Sequence, residues 1–267
     1  MARLNAEAAL RTMAKKKALV HHITNWVTIN DCAQIVRHWG CLPVMAHAVD
    51  EVAEMTGLAG ALVLNIGTLT PELVEAMLVA ARAANEKGIP VIVDAVGAGA
   101  TRLRTNESKR LLEEAKVDIL KGNAGEIATL AGVEAEVRGV ESISVEGDPS
   151  ATAKALAATL GGVVAMTGEV DIVSDGKRTF RIKGGHALMG RVVGTGCVGT
   201  STVGCFATAG GDLLERTGEA LACFGLAGER AAKIAKGPGD FMGAFFNEIV
   251  GISERPTGIK FDVEESA

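Results

Sequence analysis

Residues 61–97 read ALVLNIGTLTPELVEAMLVAARAANEKGIPVIVDAVG, and this stretch decides the fold class. It begins and ends with a short apolar run of the kind that forms a buried strand, and the segment between them has a helical pattern. Thr70 suits the helix N-cap, Pro71 suits the first helical position, and Gly88 ends the helix. Strand, helix and strand in this order predict a βαβ unit with parallel strands and a right-handed crossover.

The same alternation continues along the chain. VDILKGN at 117–123 predicts a further strand, and the strand ends near Leu64, Val93 and Leu120 recur at about 30 residues, the length of one βαβ unit. GVVAMTG at 162–168 predicts another strand, and KALVHHIT at 17–24 and CLPVMA at 41–46 are earlier candidates. The pattern therefore predicts an α/β fold with a mostly parallel central sheet between two helical layers.

The pattern changes after Gly168. VDIVSDGKRTFRI at 170–182 alternates around Asp175–Gly176, which predicts a hairpin and hence antiparallel strands at the sheet edge. Helices are expected from about Val198, over 218–235 and over 240–252. Residues 1–267 contain no linker or repeat and are interpreted as one domain, with weak periodicity from about 254 to 267 that favours a partly disordered tail.

Composition excludes several classes of protein. The chain of 267 residues is 48% hydrophobic and 22% charged, with a net charge of −5, so neither nucleic acid nor an acidic membrane surface is an expected partner. Its five cysteines form no CxxC pair, which favours a reducing compartment. Because no signal peptide and no apolar run of membrane-spanning length is present, we expect a soluble cytoplasmic protein.

Polar residues follow the predicted strands where each one ends. In open parallel sheets, ligands bind beyond the carboxyl ends of the strands. The candidates at that edge are Asn25, Met45, Gly67, Asp94, Lys121, Asn123 and Thr167. Their clustering predicts a site for a charged small molecule.

A glycine loop, GTGC at 194–197, precedes an apolar helix. Gly194 and Gly196 permit close backbone approach, so that the N–H groups around Thr195 can surround a phosphoryl group at the positive end of the helix. A tight turn that only packs against a neighbour explains the same residues. Spacing alone does not separate the two interpretations.

The segment NAGE at 123–126 also has two interpretations. Asn123 and Glu126 have the spacing of a capping box that begins a helix. Alternatively, Glu126 faces the site and helps to hold Mg²⁺, directly or through water. Asp94 is either a turn residue or a second acid for the same ion, since the two acids follow neighbouring strands.

Three other features of the sequence do not indicate a binding site. GAGATR at 97–102 resembles a dinucleotide fingerprint, but its sixth position is Arg102, and TRLRTNESKR is a poor start for a tightly packed helix. No phosphate loop of the GxxxxGK[ST] type occurs. Trp26 and Trp39 are interpreted as packing residues.

Seven segments in order resemble the hydroxyethylthiazole kinase family of the ribokinase superfamily. They are HHITNWVTINDCAQ, GCLPVMAHAVDEV, LVLNIGTLTPE, PVIVDAVGAGAT, ILKGNAGEIATL, MTGEVDIVSDG and VVGTGCVGTS, and they cover about Lys17 to Ser253. NAGE is similar to the NxxE magnesium and phosphate motif of the superfamily. GTGC is similar to its GxGD loop, with Cys197 where sugar kinases carry a catalytic Asp.

The resemblance implies a ribokinase-like fold and ATP-dependent phosphorylation of the primary hydroxyl of 4-methyl-5-(2-hydroxyethyl)thiazole in thiamine salvage. It also implies Mg²⁺ and a homotrimer with sites at subunit interfaces. The implied roles are thiazole binding by Asn25, Met45, Gly67 and Gly194, ATP binding by Lys121, Thr167, Gly194, Thr195 and Gly196, Mg²⁺ binding by Asp94 and Glu126, and catalysis by Cys197. Gly199 departs from the bulkier residues that are usual in the family, which leaves the packing under the loop open.

Cys197 is expected at the start of a helix, where a thiol pKa is lowered from its usual value of ~8.5. A small buried hydrophobic residue is the alternative role for it. On the first interpretation it acts as a modest general base, and the glycine loop and Mg²⁺ stabilise the transferring phosphoryl group.

Three alternative functions remain open from the sequence. A kinase for another small alcohol, such as hydroxymethylpyrimidine, has the same fold. A nicotinamide-dependent oxidoreductase is disfavoured by the incomplete fingerprint, and a non-catalytic nucleotide-binding protein is disfavoured by the combination of Asp94, Glu126 and Cys197.

Overall fold

The computed structural model describes residues 4–133, 135–138, 141–145 and 147–266. The helices in this part of the chain are α1 (Ala6–Lys16), α2 (Ile29–His38), α3 (Val52–Leu58), α4 (Pro71–Lys87), α5 (Arg102–Glu114), α6 (Ala124–Leu130), α7 (Pro149–Leu160), α8 (Thr195–Ala207), α9 (Leu213–Ala232) and α10 (Pro238–Glu254). The strands are β1 (Leu19–Ile23), β2 (Leu42–Val44), β3 (Ala61–Asn65), β4 (Val91–Asp94), β5 (Ile119–Asn123), β6 (Ala135–Arg138), β7 (Glu141–Val145), β8 (Val163–Thr167), β9 (Val170–Ser174), β10 (Thr179–Lys183) and β11 (Asp262–Ser266).

Nine of these strands form one sheet in the order β11-β10-β9-β8-β5-β4-β3-β1-β2. The strands from β2 to β8 in this order are parallel, whereas β9, β10 and β11 are added by antiparallel pairing. Asp94 of β4 lies opposite Lys121 of β5, and Asn65 of β3 lies opposite Asp94. The predicted parallel sheet with an antiparallel edge is therefore confirmed.

The βαβ unit over residues 61–97 has the boundaries that its sequence predicts. The Thr70 side chain caps α4 by accepting a hydrogen bond from the Leu73 N–H at 3.2 Å, Pro71 is the first helical residue, and Gly88 ends the helix at φ 73°. Consecutive residues of β3 point to opposite faces of the sheet, Val63 to one and Leu64 to the other.

Two apolar clusters fill the two faces of the sheet. One lies between the sheet and α1, α2, α8, α9 and α10, and the other lies between the sheet and α4, α5 and α7. The sheet is thus the middle of three layers, and no helix of the described residues is both long and apolar enough to cross a membrane.

One helix begins earlier than expected, and another begins at the end of the GAGATR segment. α8 starts at Thr195 rather than near Val198, so Cys197 lies in its first turn. α5 starts at Arg102, because the Thr101 side chain accepts a hydrogen bond from the Arg104 N–H at 3.3 Å. This first turn is mostly polar and has no buried residue, which agrees with the prediction that the segment is a poor start for a tightly packed helix.

The segment after Glu254 also differs from its expected disorder. Residues Asp262–Ser266 pair with β10 as the edge strand β11, and Lys183 and Glu264 form an ion pair at 2.8 Å. Strand pairing uses main-chain groups that every sequence carries, so the weak apolar periodicity did not reveal it.

Candidate active site

The ends of the neighbouring strands β1, β3, β4, β5 and β8 form one polar edge, called the rim here. Its side chains come from Asn25, Asn65, Asp94, Lys121, Glu126 and Thr167. Parallel strands end on the same side of a sheet, so the topology alone brings these residues together. The first turn of α8 completes the rim, since its Cys197 contacts Asn25.

Asp94 is the centre of the rim and is 2% exposed. Its Oδ2 accepts hydrogen bonds from Asn65 Nδ2 at 2.9 Å and from Thr200 Oγ1 at 2.6 Å. Its Oδ1 lies 3.4 Å from Lys121 Nζ. These donors hold the carboxylate in one orientation.

Glu126 forms the predicted capping box and also faces the rim. The Asn123 side chain accepts from the Glu126 N–H at 3.0 Å, and Glu126 Oε2 accepts from the Asn123 N–H at 2.7 Å. Glu126 Oε1 accepts from the Gly97 N–H at 2.7 Å. Burial above all, and then the charge of Asp94, raise the pKa of Glu126 to about 7.

Lys121 interacts electrostatically with both acids and is 3% exposed. Desolvation lowers its pKa, but Asp94 and Glu126 together outweigh that effect, so the net pKa is raised. The ammonium group therefore stays charged, and its Nζ lies 3.9 Å from the position that a Cβ of Gly196 would occupy. A cation is thus held beside the start of α8.

Gly194 is the N-cap of α8, with φ at 95°. A Cβ at this position would lie 2.6 Å from Thr28 Cγ2, so close packing and the positive φ both require glycine. The Thr195 hydroxyl donates to the Met189 carbonyl at 2.9 Å and so binds the start of α8 to the turn that precedes it. N–H groups in the first turn of a helix have no intrahelical acceptors, so this end of α8 is suited to an anion.

Cys197 is half-buried, and Asn25 Nδ2 donates to its Sγ at 3.3 Å. The expected lowering of the thiol pKa is wrong, because burial and the negative charge of Asp94 raise it. The same Asn25 Nδ2 lies 3.0 Å from Asn65 Oδ1, which connects Cys197 to Asp94 through two amide side chains. This chain of amides thus links the thiol to Asp94 and not to Glu126.

The remaining predicted residues lie at or after the ends of strands of the same sheet. Gly67 follows β3, and its N–H donates to Asn65 Oδ1 at 2.9 Å. Met45 follows β2 next to Ala46, whose carbonyl accepts from Nε2 of the buried His21 at 2.8 Å. The Thr167 hydroxyl donates to the Gly122 carbonyl at 3.4 Å.

Sequence reasoning missed three residues with central contacts, Asn65, Thr200 and Arg104. Asn65 had a signal, because a lone amide ends an otherwise apolar buried strand. Thr200 had none, since it lies 106 residues from its partner Asp94. The interpretation of the tryptophans as packing residues is confirmed for Trp39, which is fully buried, while Trp26 is 49% exposed and packs edge-on against the His47 ring.

Comparison with known proteins finds similarity over nearly the whole chain. Residues 10–255 match the family model described as the hydroxyethylthiazole kinase family. A protein from Methanosarcina mazei named hydroxyethylthiazole kinase is 52% identical over 256 residues, which are 96% of this chain and 98% of that protein.

Solved structures are similar over the same length. A hydroxyethylthiazole kinase protein from Pyrococcus horikoshii OT3 has a TM-score of 0.87 and 40% identity, covering 97% of this chain and 98% of that chain. A ribokinase-like superfamily protein from Enterococcus faecalis V583 has a TM-score of 0.65 at 12% identity over 88% of each chain, which shows a shared fold. The three-layer fold is therefore ribokinase-like.

Proposed function

The chain belongs to the hydroxyethylthiazole kinase family, and on this premise we propose that it transfers the γ-phosphoryl group of ATP to the primary hydroxyl of 4-methyl-5-(2-hydroxyethyl)thiazole. This reaction is a step of thiamine salvage. One observation carries the proposal beyond family membership. The Cys197 thiol, at the positive end of α8, is joined through Asn25 and Asn65 to the Asp94 carboxylate.

The first turn of α8 binds the γ-phosphoryl group in this proposal. Charge develops on the equatorial oxygens during transfer, and N–H groups around Thr195 and Gly196 stabilise it without reorganising. Lys121 contributes a fixed positive charge on the same side, and Thr167 contacts the nucleotide farther along the rim. The helix end and the buried ammonium group support this assignment.

The alcohol binds next to Cys197, in a pocket lined by Asn25, Met45, Gly67 and Gly194. The alcohol oxygen forms a bond to the γ-phosphorus while the bond to the oxygen that bridges to the β-phosphate breaks. The alcohol proton passes to the Cys197 thiolate. Because burial and Asp94 raise the thiol pKa, the thiolate is a minor but more basic form near neutral pH.

Mg²⁺ is implied by the family, and the donor set fits it. Asp94 and Glu126 bring two buried carboxylates to the one rim, where Lys121 supplies a single positive charge. Each Glu126 oxygen accepts one N–H and retains a lone pair for an ion or its water. When bound, Mg²⁺ neutralises phosphate charge during transfer. We propose that Asp94 and Glu126 hold it.

A homotrimer with sites at subunit interfaces is part of the proposal. Val27 and Val193 are 68% and 75% exposed and lie within two residues of Asn25 and Gly194, which supports an apolar contact beside the site. The free cysteines of the described residues support a cytoplasmic location. A small alcohol and ATP are then the partners, without nucleic acid or membrane.

The test is a coupled assay of ATP consumption with the thiazole alcohol, with and without Mg²⁺. We expect turnover that requires both the alcohol and the metal ion. A panel with hydroxymethylpyrimidine separates the related kinase activity. Turnover only with hydroxymethylpyrimidine would overturn the substrate assignment, and no turnover with any alcohol would overturn the kinase assignment.

A further inference from the structure

The guanidinium group of Arg104, in the first turn of α5, joins two loops of the rim. Its Nη1 donates to the Ile66 carbonyl at 3.0 Å and to the Val96 carbonyl at 2.9 Å. Its Nη2 donates to the Gly67 carbonyl at 2.7 Å. Ile66 and Gly67 follow β3, and Val96 follows β4, so one planar cation binds the ends of two neighbouring strands.

The loop after β3 lies against the proposed alcohol pocket. The Gly67 N–H donates to Asn65 Oδ1 at 2.9 Å. A Cβ at Gly67 would lie 2.8 Å from Asn25 Cβ, so the backbone here touches the residue that contacts Cys197. A shift of this loop would move Asn25 and therefore the proposed binding pocket for the alcohol.

The loop after β4 holds one of the acids. The Gly97 N–H donates to Glu126 Oε1 at 2.7 Å, and Val96, whose carbonyl binds Arg104, is the residue before it. Gly97 has φ at 76°, and a Cβ there would lie 2.9 Å from Arg104 Cδ. Glycine at this position thus allows the arginine to lie across the loop.

We propose that Arg104 is a positioning residue that fixes the alcohol pocket relative to the acid pair. Two features set it apart from an ordinary surface arginine. Its guanidinium N–H groups donate to main-chain carbonyls, and these carbonyls belong to two different loops that contact site residues. A planar fork is needed, because a lysine has a single nitrogen and cannot span the three acceptors in this geometry. The inference rests on the proposed function for its kinetic consequences.

Arg104→Met is the first test, with Arg102→Met as the matched control. Arg102 lies in the same helical turn and is exposed. We expect Arg104→Met to raise KM for the thiazole alcohol about tenfold or more, because three hydrogen bonds from a charged donor are lost. KM for ATP should rise less than KM for the alcohol, since Arg104 contacts neither Lys121 nor Thr167 and reaches the proposed Mg²⁺ ligand Glu126 only through the loop at Gly97. Arg104→Lys should recover part of the loss, and Arg102→Met should match the wild type.

Hydrogen exchange gives a second measurement that needs no substrate. The Gly67 and Gly97 N–H groups should exchange about tenfold faster in Arg104→Met, while exchange in β8 stays unchanged. Unchanged exchange in both loops, or equal increases of KM for the alcohol and for ATP, would overturn the inference. If the wild type itself does not phosphorylate the alcohol, the proposed function is wrong, and the exchange measurement alone decides whether Arg104 holds the loops. If Arg104→Met does not fold, Arg104→Lys carries both measurements.

Discussion

Two regions of the molecule each pair a buried glutamate with a cysteine of raised pKa. In the rim, burial and Asp94 raise the pKa of Glu126 to about 7 and also raise that of Cys197. On α9, burial raises the pKa of Glu219 to about 7, and burial together with Glu219 raises that of Cys223, one turn further on. Titration behaviour alone therefore does not distinguish the two regions.

The surroundings of the two pairs differ. Amide donors, a buried lysine and a helix N-terminus converge on the rim pair, and Cys197 is half-buried there. On α9, Glu219 has an ion pair with Arg216 at 3.1 Å, and Cys223 is fully buried in the apolar cluster. A shifted pKa marks burial in both cases, whereas converging donors around a partly open thiol mark a site that can bind and react.

The largest expected difference between the regions concerns the two cysteines. Cys197→Ala should lower kcat by about 10²–10⁴-fold, the size of a general-base contribution, and leave binding of the thiazole alcohol nearly unchanged. Cys223→Ala should keep kcat and lower the free energy of unfolding by about 1 kcal/mol, because it removes one buried sulfur. Steady-state kinetics, calorimetric titration of the alcohol and urea unfolding measure these effects. An unchanged kcat in Cys197→Ala would remove the base role.

Aspartate at the same two positions gives the next contrast. Cys197→Asp should retain activity, because a carboxylate can accept the same proton beside Lys121 and Asn25. In the wild type, log kcat should rise with pH into the alkaline range, since the thiol pKa is raised, whereas Cys197→Asp should show a flat profile there. Cys223→Asp should not fold, because its charge would be buried without a partner. A folded but inactive Cys197→Asp would contradict the proposal.

The charge of Glu219 affects the stability of the fold, whereas the charge of Glu126 is expected to affect activity. Folded Glu219 holds its proton up to about pH 7, against an ordinary value of 4.5, so the native state binds more protons than the unfolded state between these values. Stability from this group is therefore lost as the pH rises from about 4.5 to 7. At pH 8, Glu219→Gln should have a free energy of unfolding about 1–2 kcal/mol higher than that of the wild type, with the lost pairing with Arg216 already subtracted. Urea unfolding measures this difference. At pH 5 the difference in free energy should disappear. The kcat of Glu219→Gln should be unchanged.

Glu126→Gln is the counterpart in the rim. It should lower activity, since a carboxamide offers one oxygen where two N–H groups need acceptors. Unchanged activity would argue against a binding role for Glu126, and an equal stability gap for Glu219→Gln at both pH values would argue against its raised pKa.

Two threonines give the smallest contrast. Thr200→Val removes the hydroxyl that donates to Asp94 at 2.6 Å and should lower kcat/KM about tenfold. Thr217→Val on α9 removes a buried hydroxyl with no protein partner among the described residues, so stability should stay equal or rise by about 1 kcal/mol. Assays and urea unfolding separate the two outcomes, and a loss of more than about 1 kcal/mol in Thr217→Val would show that this hydroxyl has a partner.

The sequence predicts the sheet well because local signals delimit its elements. Thr70, Pro71 and Gly88 fix α4, and Asp175–Gly176 fixes the hairpin of β9 and β10. These residues act through dihedral preferences and caps that need no distant partner. The strand β11 is different, because only β10 makes its five residues a strand.

The sequence predicts those rim residues whose position follows from the order of the strands. Asp94 and Lys121 follow from the strand order alone. The contacts of Arg104 and Thr200 did not follow, because their acceptors are main-chain carbonyls or a side chain far away in sequence. The direction of the Cys197 pKa was wrong for a related reason, since the helix end is readable in sequence while burial and the nearby Asp94 charge are not.

The edge strand β11 has a consequence for solubility. An outermost strand presents unpaired main-chain groups that can recruit another chain into edge-to-edge aggregates. Its side chains include Asp262, Glu264 and Glu265, all exposed. Like charges on two approaching edges repel each other, so this strand closes one side of the sheet and at the same time protects it from self-association.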